Sequence, residues 1–323
     1  MLTSSLRPRD PLAALPFQLG DEFVASLRDA VELSAPALFV DLVRWAQSLV
    51  AHRESPASVD AALQSMLDSL GTLLPLTNAV RARSILEAAR GAIARHSESG
   101  PASAIDAASP RGAVAERILN LLLEGDEQRA SRELLCCVAK GTSQAELYGE
   151  IITPLLHETG RLWEHNAIGI SEEHAITAAI ERFMAHIAEL QALRPFREFA
   201  VVSASLGSSA HGVGARMLAD TFALGGWHAT YLGGNIPPED LLDYVDRVSV
   251  DVLALSATLA RDIIPVRNFI AALLDRPVAP LVLVGGRAFT LDPTLWQRIG
   301  ADGFAATPSL AVALANELVH QTA

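Results

Sequence analysis

Apolar positions recur at helical spacing through the first third of the chain. Leu38, Val40, Leu42, Val43, Trp45, Leu49 and Val50 make one such stripe, and Val80, Ile85, Leu86, Ala89 and Ile93 make another beyond Pro75. Ser34 ahead of Pro36, and Ser55 ahead of Pro56, each pair a capping hydroxyl with an early-helix proline. Residues 20–96 are therefore predicted to form an N-terminal all-helical domain. A flexible tail over 1–19 precedes it, broken by Pro8, Pro11 and Pro16. Residues 97–112, rich in Ser, Ala, Gly and Pro, read as a linker. Helical spacing resumes at Ala113, with breaks near Gly125, at Gly141–Thr142 and over Asn166–Ser171. That pattern predicts a four-helix bundle over 113–194, with Ser171 capping its last helix.

The period changes after Phe199. Short apolar runs at Ala200–Ala204, His228–Leu232, Asp251–Ser256, Pro280–Val284 and Gly303–Ala306 alternate with helical stretches. Buried strands alternating with helices predict a parallel, doubly wound sheet. Residues 195–323 are thus expected to be an α/β Rossmann-like domain, flavodoxin-like in strand order, with ligands at the C-terminal strand ends.

Composition narrows the partners. The net charge is −12, Lys140 is the only lysine, and the arginines are scattered, so direct nucleic-acid binding is not expected. No apolar run approaches the roughly 18 residues of a membrane span. The N-terminal stretch has no continuous apolar segment of a signal peptide. The two cysteines, Cys136 and Cys137, are adjacent and suit a reducing cytoplasm.

Candidate chemistry gathers after the first strand, at Ser209-Ala210-His211-Gly212-Val213-Gly214. A histidine there can ligate a transition metal. The same residues also admit blander readings, a helix-capping histidine or a phosphate-holding glycine loop. Ser256 and Thr258 follow the third strand, and Gly285-Gly286 ends the fourth. No catalytic acid–base pair or nucleophile stands out, so no enzyme activity is expected.

Taken together, these three elements resemble the cobalamin-binding domain of methionine synthases, corrinoid carrier proteins and cobalamin photoreceptors. The family pattern is Asp-x-His-x-x-Gly, then Ser-x-Leu or Ser-x-Thr, then Gly-Gly. The resemblance implies that His211 is the lower axial ligand of cobalt. It also implies that Gly214, Ser256, Thr258, Gly285 and Gly286 line the groove for the displaced dimethylbenzimidazole tail. Ser209 stands where the family has an aspartate that hydrogen-bonds the ligand histidine. A hydroxyl can orient the ring but cannot raise its basicity as a carboxylate does.

In the bundle, Trp163 is followed after nine residues by Glu173-His174. By themselves these residues also read as a core tryptophan and an acidic helix start. The spacing ahead of a cobalamin domain resembles the CarH-like photoreceptors. There the bundle caps the upper face of the corrin, and the three residues surround the 5′-deoxyadenosyl group. Glu164 stands where those photoreceptors often carry a histidine, so after illumination water or the nearby His165 is expected on cobalt. No winged-helix unit precedes the bundle, so a repressor role does not transfer.

An all-helical segment in its place resembles the photocobilins, which implies a bilin such as biliverdin as second chromophore. The expected protein is an adenosylcobalamin-binding light sensor. Photolysis would alter its homo-oligomeric (dimeric) assembly or its binding of a downstream protein. The alternative is a corrinoid protein that carries methyl groups in a methyltransferase system.

Overall fold

The computed structural model describes residues 11, 12, 15, 19–52, 58–73, 75–96, 103–190, 198–206 and 211–322. The chain divides into two compact units. One comprises Met1–Ala102 with Glu164–Ala167, and the other Ser103–Trp163 with Ile168–Ala323.

The first unit contains α1 (Leu19–Glu32), α2 (Pro36–His52), α3 (Val59–Leu73) and α4 (Leu76–His96). Ser34, at φ 53°, turns the chain out of α1, and Pro36 opens α2 as its spacing predicts. Ser55 and Pro56 lie outside the described residues. The capping oxygen of α3 belongs to Ser58, which accepts from the Ala61 N–H at 3.2 Å. Phe23 and Phe39 meet edge to face at 5.8 Å in the core. Each such buried ring stabilises the unit by about 2–3 kcal/mol.

The second unit opens with part of the expected linker folded onto it. Ile105 is buried in the bundle core, and the Ala104 N–H donates to the Glu158 carboxylate at 2.9 Å. Four helical runs follow. The first two are α5 (Pro110–Leu123), capped by Ser109, and α6 (Glu127–Ala139), capped by Asp126. The third is continuous through α7 (Gln144–Glu146), a π-helical segment at Leu147–Ile152 and α8 (Thr153–Glu164). The fourth is α9 (Ile170–Leu190). Gly125 and Gly141 take left-handed φ of 78° and 88° at the predicted breaks. Ser171 is not the cap of α9. The helix starts one residue earlier, and the Gly169 N–H is satisfied by Glu172 reaching back at 2.6 Å.

The sheet domain carries β1 (Ala200–Leu206), α10 (Val213–Leu224), β2 (His228–Ile236), α11 (Pro238–Arg247) and β3 (Val252–Ser256). A 3-10 turn (Ala260–Asp262), α12 (Ile263–Leu274), β4 (Leu281–Gly285), α13 (Arg287–Thr290), α14 (Leu295–Ile299), β5 (Gly303–Ala305) and α15 (Pro308–Thr322) complete it. The five strands pair in parallel in the order β2-β1-β3-β4-β5, the flavodoxin-like arrangement expected from the sequence. Every residue of β3 is buried, as a strand covered on both faces requires. The bundle seats itself on α10. Met217 belongs to the bundle's core cluster, and the Tyr148 hydroxyl donates to Asp220 at 2.8 Å.

Among the described residues, no helix is long and apolar enough to cross a membrane.

Candidate functional site

The C-terminal ends of β1, β3 and β4 lie side by side, and the residues singled out in the sequence collect there. Ser256 pairs in register with Gly285. The Ala257 N–H donates to the Gly285 carbonyl at 2.9 Å, and the Ala288 N–H returns a bond to Ala257 at 3.1 Å. Ser256 is buried, and its Oγ stands 3.1 Å from where a Cβ on Gly214 would lie. Gly214, Ser256, Gly285 and Gly286 thus form one connected edge, and Thr258 follows it half-buried. Gly286 turns the chain at φ 92°, and a Cβ there would come 2.4 Å from the Ala257 carbonyl oxygen. No side chain fits that approach.

His211 follows β1 on the same edge. Gly212, not His211, occupies the N-cap of α10, and no side chain caps that helix. The blander helix-capping reading therefore falls. The Ser205 hydroxyl donates to the His211 carbonyl at 3.1 Å and fixes the backbone from below. The residue is exposed, yet protein crowding around its ring pushes the imidazole below the ordinary histidine pKa. The charges of Asp262 and Glu173 act in the opposite sense, and Arg261 adds to the lowering. A histidine neutral at physiological pH offers a nitrogen lone pair, which is what a metal ligand needs.

Ser209 lies outside the described residues. The carboxylate acting most strongly on His211 is Asp262, in the 3-10 turn beyond β3. Asp262 is buried and accepts from the Leu259 N–H at 3.0 Å. Burial raises its pKa, while backbone hydrogen bonds and the charges of Arg261 and His211 work to lower it. The sequence reading missed it, because one Asp between Arg261 and Ile263 looks like an ordinary helix-start acid.

In the bundle, Trp163 lies near the end of α8, half-buried against the hydrophobic core. Glu173 and His174 stand in the first turn of α9. The Glu173 carboxylate is held on both oxygens, by the His174 Nδ1 at 2.5 Å and by the Thr177 hydroxyl at 3.0 Å. His165 falls with the first unit, its ring centroid 4.1 Å from that of His52. Among the described residues, no group of three or more His, Cys, Asp or Glu side chains could hold a metal by itself.

Residues 200–313 match the model of a B12 binding domain, and residues 114–188 match the model of a second B12 binding domain. No curated protein matches the chain. Among solved structures, it is similar to the monomethylamine corrinoid protein of Methanosarcina barkeri, at 14% identity with a TM-score of 0.54. That match covers 64% of this chain and 98% of the other. A cobalamin-binding protein from Desulfitobacterium hafniense matches at 18% identity and a TM-score of 0.35, over 63% of this chain and 97% of its own. The methanol:cobalamin methyltransferase complex of Methanosarcina barkeri matches at 16% identity and a TM-score of 0.35, over 78% and 92%.

Proposed function

We propose that this chain, a cobalamin-binding protein by its two B12 binding domains, is a light sensor that takes adenosylcobalamin with His211 as the lower axial ligand of cobalt. Bound adenosylcobalamin supplies a weak cobalt–carbon bond that green light breaks. The observation that carries the reading is that the bundle bearing Trp163, Glu173 and His174 docks on α10, the helix that the His211 loop opens, through Met217 and the Tyr148–Asp220 bond. Glu173, already fixed by His174 and Thr177, is suited to accept hydrogen bonds from nucleoside hydroxyls. Trp163 offers a half-buried aromatic face to an adenine-sized ring. Gly214, Ser256, Thr258, Gly285 and Gly286 line the groove for the nucleotide tail.

Absorbance of the protein reconstituted with adenosylcobalamin, before and after green light, tests this reading. We expect a base-off spectrum in the dark that photolyses while the corrinoid stays bound. Adenosylcobalamin that washes away on gel filtration, or binds no more tightly than methylcobalamin, would overturn it.

A second reading is a corrinoid carrier of methyl groups between methyltransferases. Its support is the fold shared with the monomethylamine corrinoid protein. Turnover of bound methylcobalamin by a methyltransferase, with no response to light, would favour it.

The same light-sensor reading extends to assembly and to a second chromophore. The sensor works as a light-dependent homo-oligomer that signals to a protein partner, without direct contact to nucleic acid. A bilin such as biliverdin binds at the N-terminal helices, where the paired rings of His52 and His165 offer polar contacts. Co-expression with haem oxygenase should give a red-absorbing holoprotein, and purified protein without bilin absorbance would remove the second chromophore.

A further inference from the structure

A line of polar contacts runs from the bundle to the backbone beside His211. It starts in the π-helical segment, where the Tyr148 hydroxyl donates to Asp220 Oδ2 on α10 at 2.8 Å. Arg216, one turn earlier on α10, brings its Nε to 3.6 Å from the same oxygen. The Arg216 guanidinium stands 5.6 Å from the centroid of the Tyr231 ring on β2, within cation–π range. The Tyr231 hydroxyl donates to the Gly212 carbonyl at 3.1 Å.

Two successive loop carbonyls are therefore pinned by hydroxyls from neighbouring strands. Ser205 of β1 holds that of His211, and Tyr231 of β2 holds that of Gly212. The fit leaves no slack. A Cβ on Gly212 would stand 2.5 Å from the Tyr231 hydroxyl and 3.2 Å from the Gly234 nitrogen. The strand itself is reshaped at this point. Register runs from Ser203↔Tyr231 to Ala204↔Gly233, skipping Leu232, and Gly233 takes φ 93°. A bulge beside a site re-aims what the strand presents, here the backbone against which the loop lies.

We propose that Tyr231 is the positioning residue of the cobalt-ligand loop, and that Arg216, Asp220 and Tyr148 hold it in register with the bundle. The inference rests on His211 being the cobalt ligand. A ligating imidazole keeps its alignment only if its backbone is fixed by surrounding groups. The ring of Tyr231 would pack as well without its hydroxyl, so the hydroxyl's task is the Gly212 carbonyl. The far end of the line is Tyr148, one residue into the segment that continues into α8 and Trp163. A shift of that helical run is thereby passed to the loop through Asp220.

The test is electron paramagnetic resonance of the full chain loaded with cob(II)alamin, which reads nitrogen coordination as a splitting of the cobalt lines. Wild type should show the splitting and His211→Ala should not. Tyr231→Phe should raise the ratio of uncoordinated to coordinated cobalt about fivefold, the size of one lost hydrogen bond. Its melting temperature without cobalamin should stay close to that of wild type. Tyr148→Phe should move the ratio the same way by a smaller factor. A wild-type ratio in Tyr231→Phe overturns the positioning role and leaves His211 as ligand. Absence of nitrogen splitting in wild type overturns the His211 assignment and the positioning role together.

Discussion

The carboxylate of Glu173, in the first turn of α9, acts through its charge on the imidazole of His211 beyond β1. Bundle and sheet domain meet at α10, through Met217 and the Tyr148–Asp220 bond, next to the environment of His211. If that environment receives the upper ligand of a cobalamin, the bundle residues should select between upper ligands. Trp163→Ala should lose the preference for adenosylcobalamin over methylcobalamin, by about tenfold or more for a lost aromatic contact of some 1.5 kcal/mol. Competitive binding in the dark, read by absorbance, measures it. Equal relative affinities in wild type and variant would remove the capping role.

His211→Ala should abolish the histidine-ligated absorbance spectrum and weaken cobalamin binding strongly, because the sequence Gly207-Ser208-Ser209-Ala210 ahead of it carries no second imidazole. Added free imidazole should restore part of the spectrum. An unchanged spectrum in the variant refutes the ligand assignment.

Gly286→Ala tests the turn at the end of β4. The position demands φ 92° and ψ 170°, and the new methyl would strike the Ala257 carbonyl. A cost of about 3 kcal/mol is expected, from backbone strain and the displaced loop. Thermal unfolding should show a lowered midpoint, and the groove beside Ser256 should hold cobalamin more weakly. A midpoint within a degree or so of wild type would mean that the turn relaxes without penalty.

Much of this architecture is legible in the sequence for a physical reason. Strands buried on both faces are continuous apolar runs, so β1, β3 and β4 stand out between their helices, and the 2-1-3-4-5 order follows. The cobalt-ligand candidate is legible because a histidine among glycines after a first strand is an unusual local pattern. Asp262 is not legible. Its partnership with His211 is made by the adjacency of β1 and β3, which no local pattern records. Tyr231 is hidden for the same reason, since its register with Ser203 and the bulge after it arise only when the strands pair. The π segment has no residue-type signature, and apolar periodicity ran through it as ordinary helix. The end of the linker is not legible, because a run such as Ser103-Ala104-Ile105-Asp106 looks the same whether free or tied down. The bond from Ala104 to Glu158, fifty-four residues away, is what ties this one.

Glu158 makes that tie dependent on pH. Burial alone would raise its pKa, but hydrogen bonds from Arg161 and from the Ala104 N–H overcome this and hold it below the ordinary glutamate range. A carboxyl with a depressed folded pKa stabilises the fold above its unfolded value, about 4.3, and loses that contribution as pH falls through the folded value. Glu158→Gln should therefore lower the melting temperature at neutral pH and flatten its decline below pH ~4. Parallel acid limbs in wild type and variant would show that the buried carboxylate contributes nothing charge-dependent.

Illumination should change quaternary structure. Trp163 and the Glu173-His174 pair sit on successive helices of a bundle whose other anchor is α10, through Met217 and the Tyr148–Asp220 bond. A nucleoside packed between those residues and the corrin would help set how α8 and α9 lie over the sheet domain. When light frees it, the half-buried face of Trp163 loses that partner, while the anchor on α10 remains. Close-packed interfaces tend to move between discrete arrangements rather than deform smoothly, so the bundle should settle in a second position and gain or lose a subunit contact. Glu164 stands where CarH-like photoreceptors often carry a histidine, so the assembly after illumination should be less fixed. Size-exclusion chromatography with light scattering, dark against illuminated, measures the change. Identical masses and elution volumes after complete photolysis by absorbance would eliminate light-switched assembly and leave signalling to a partner protein.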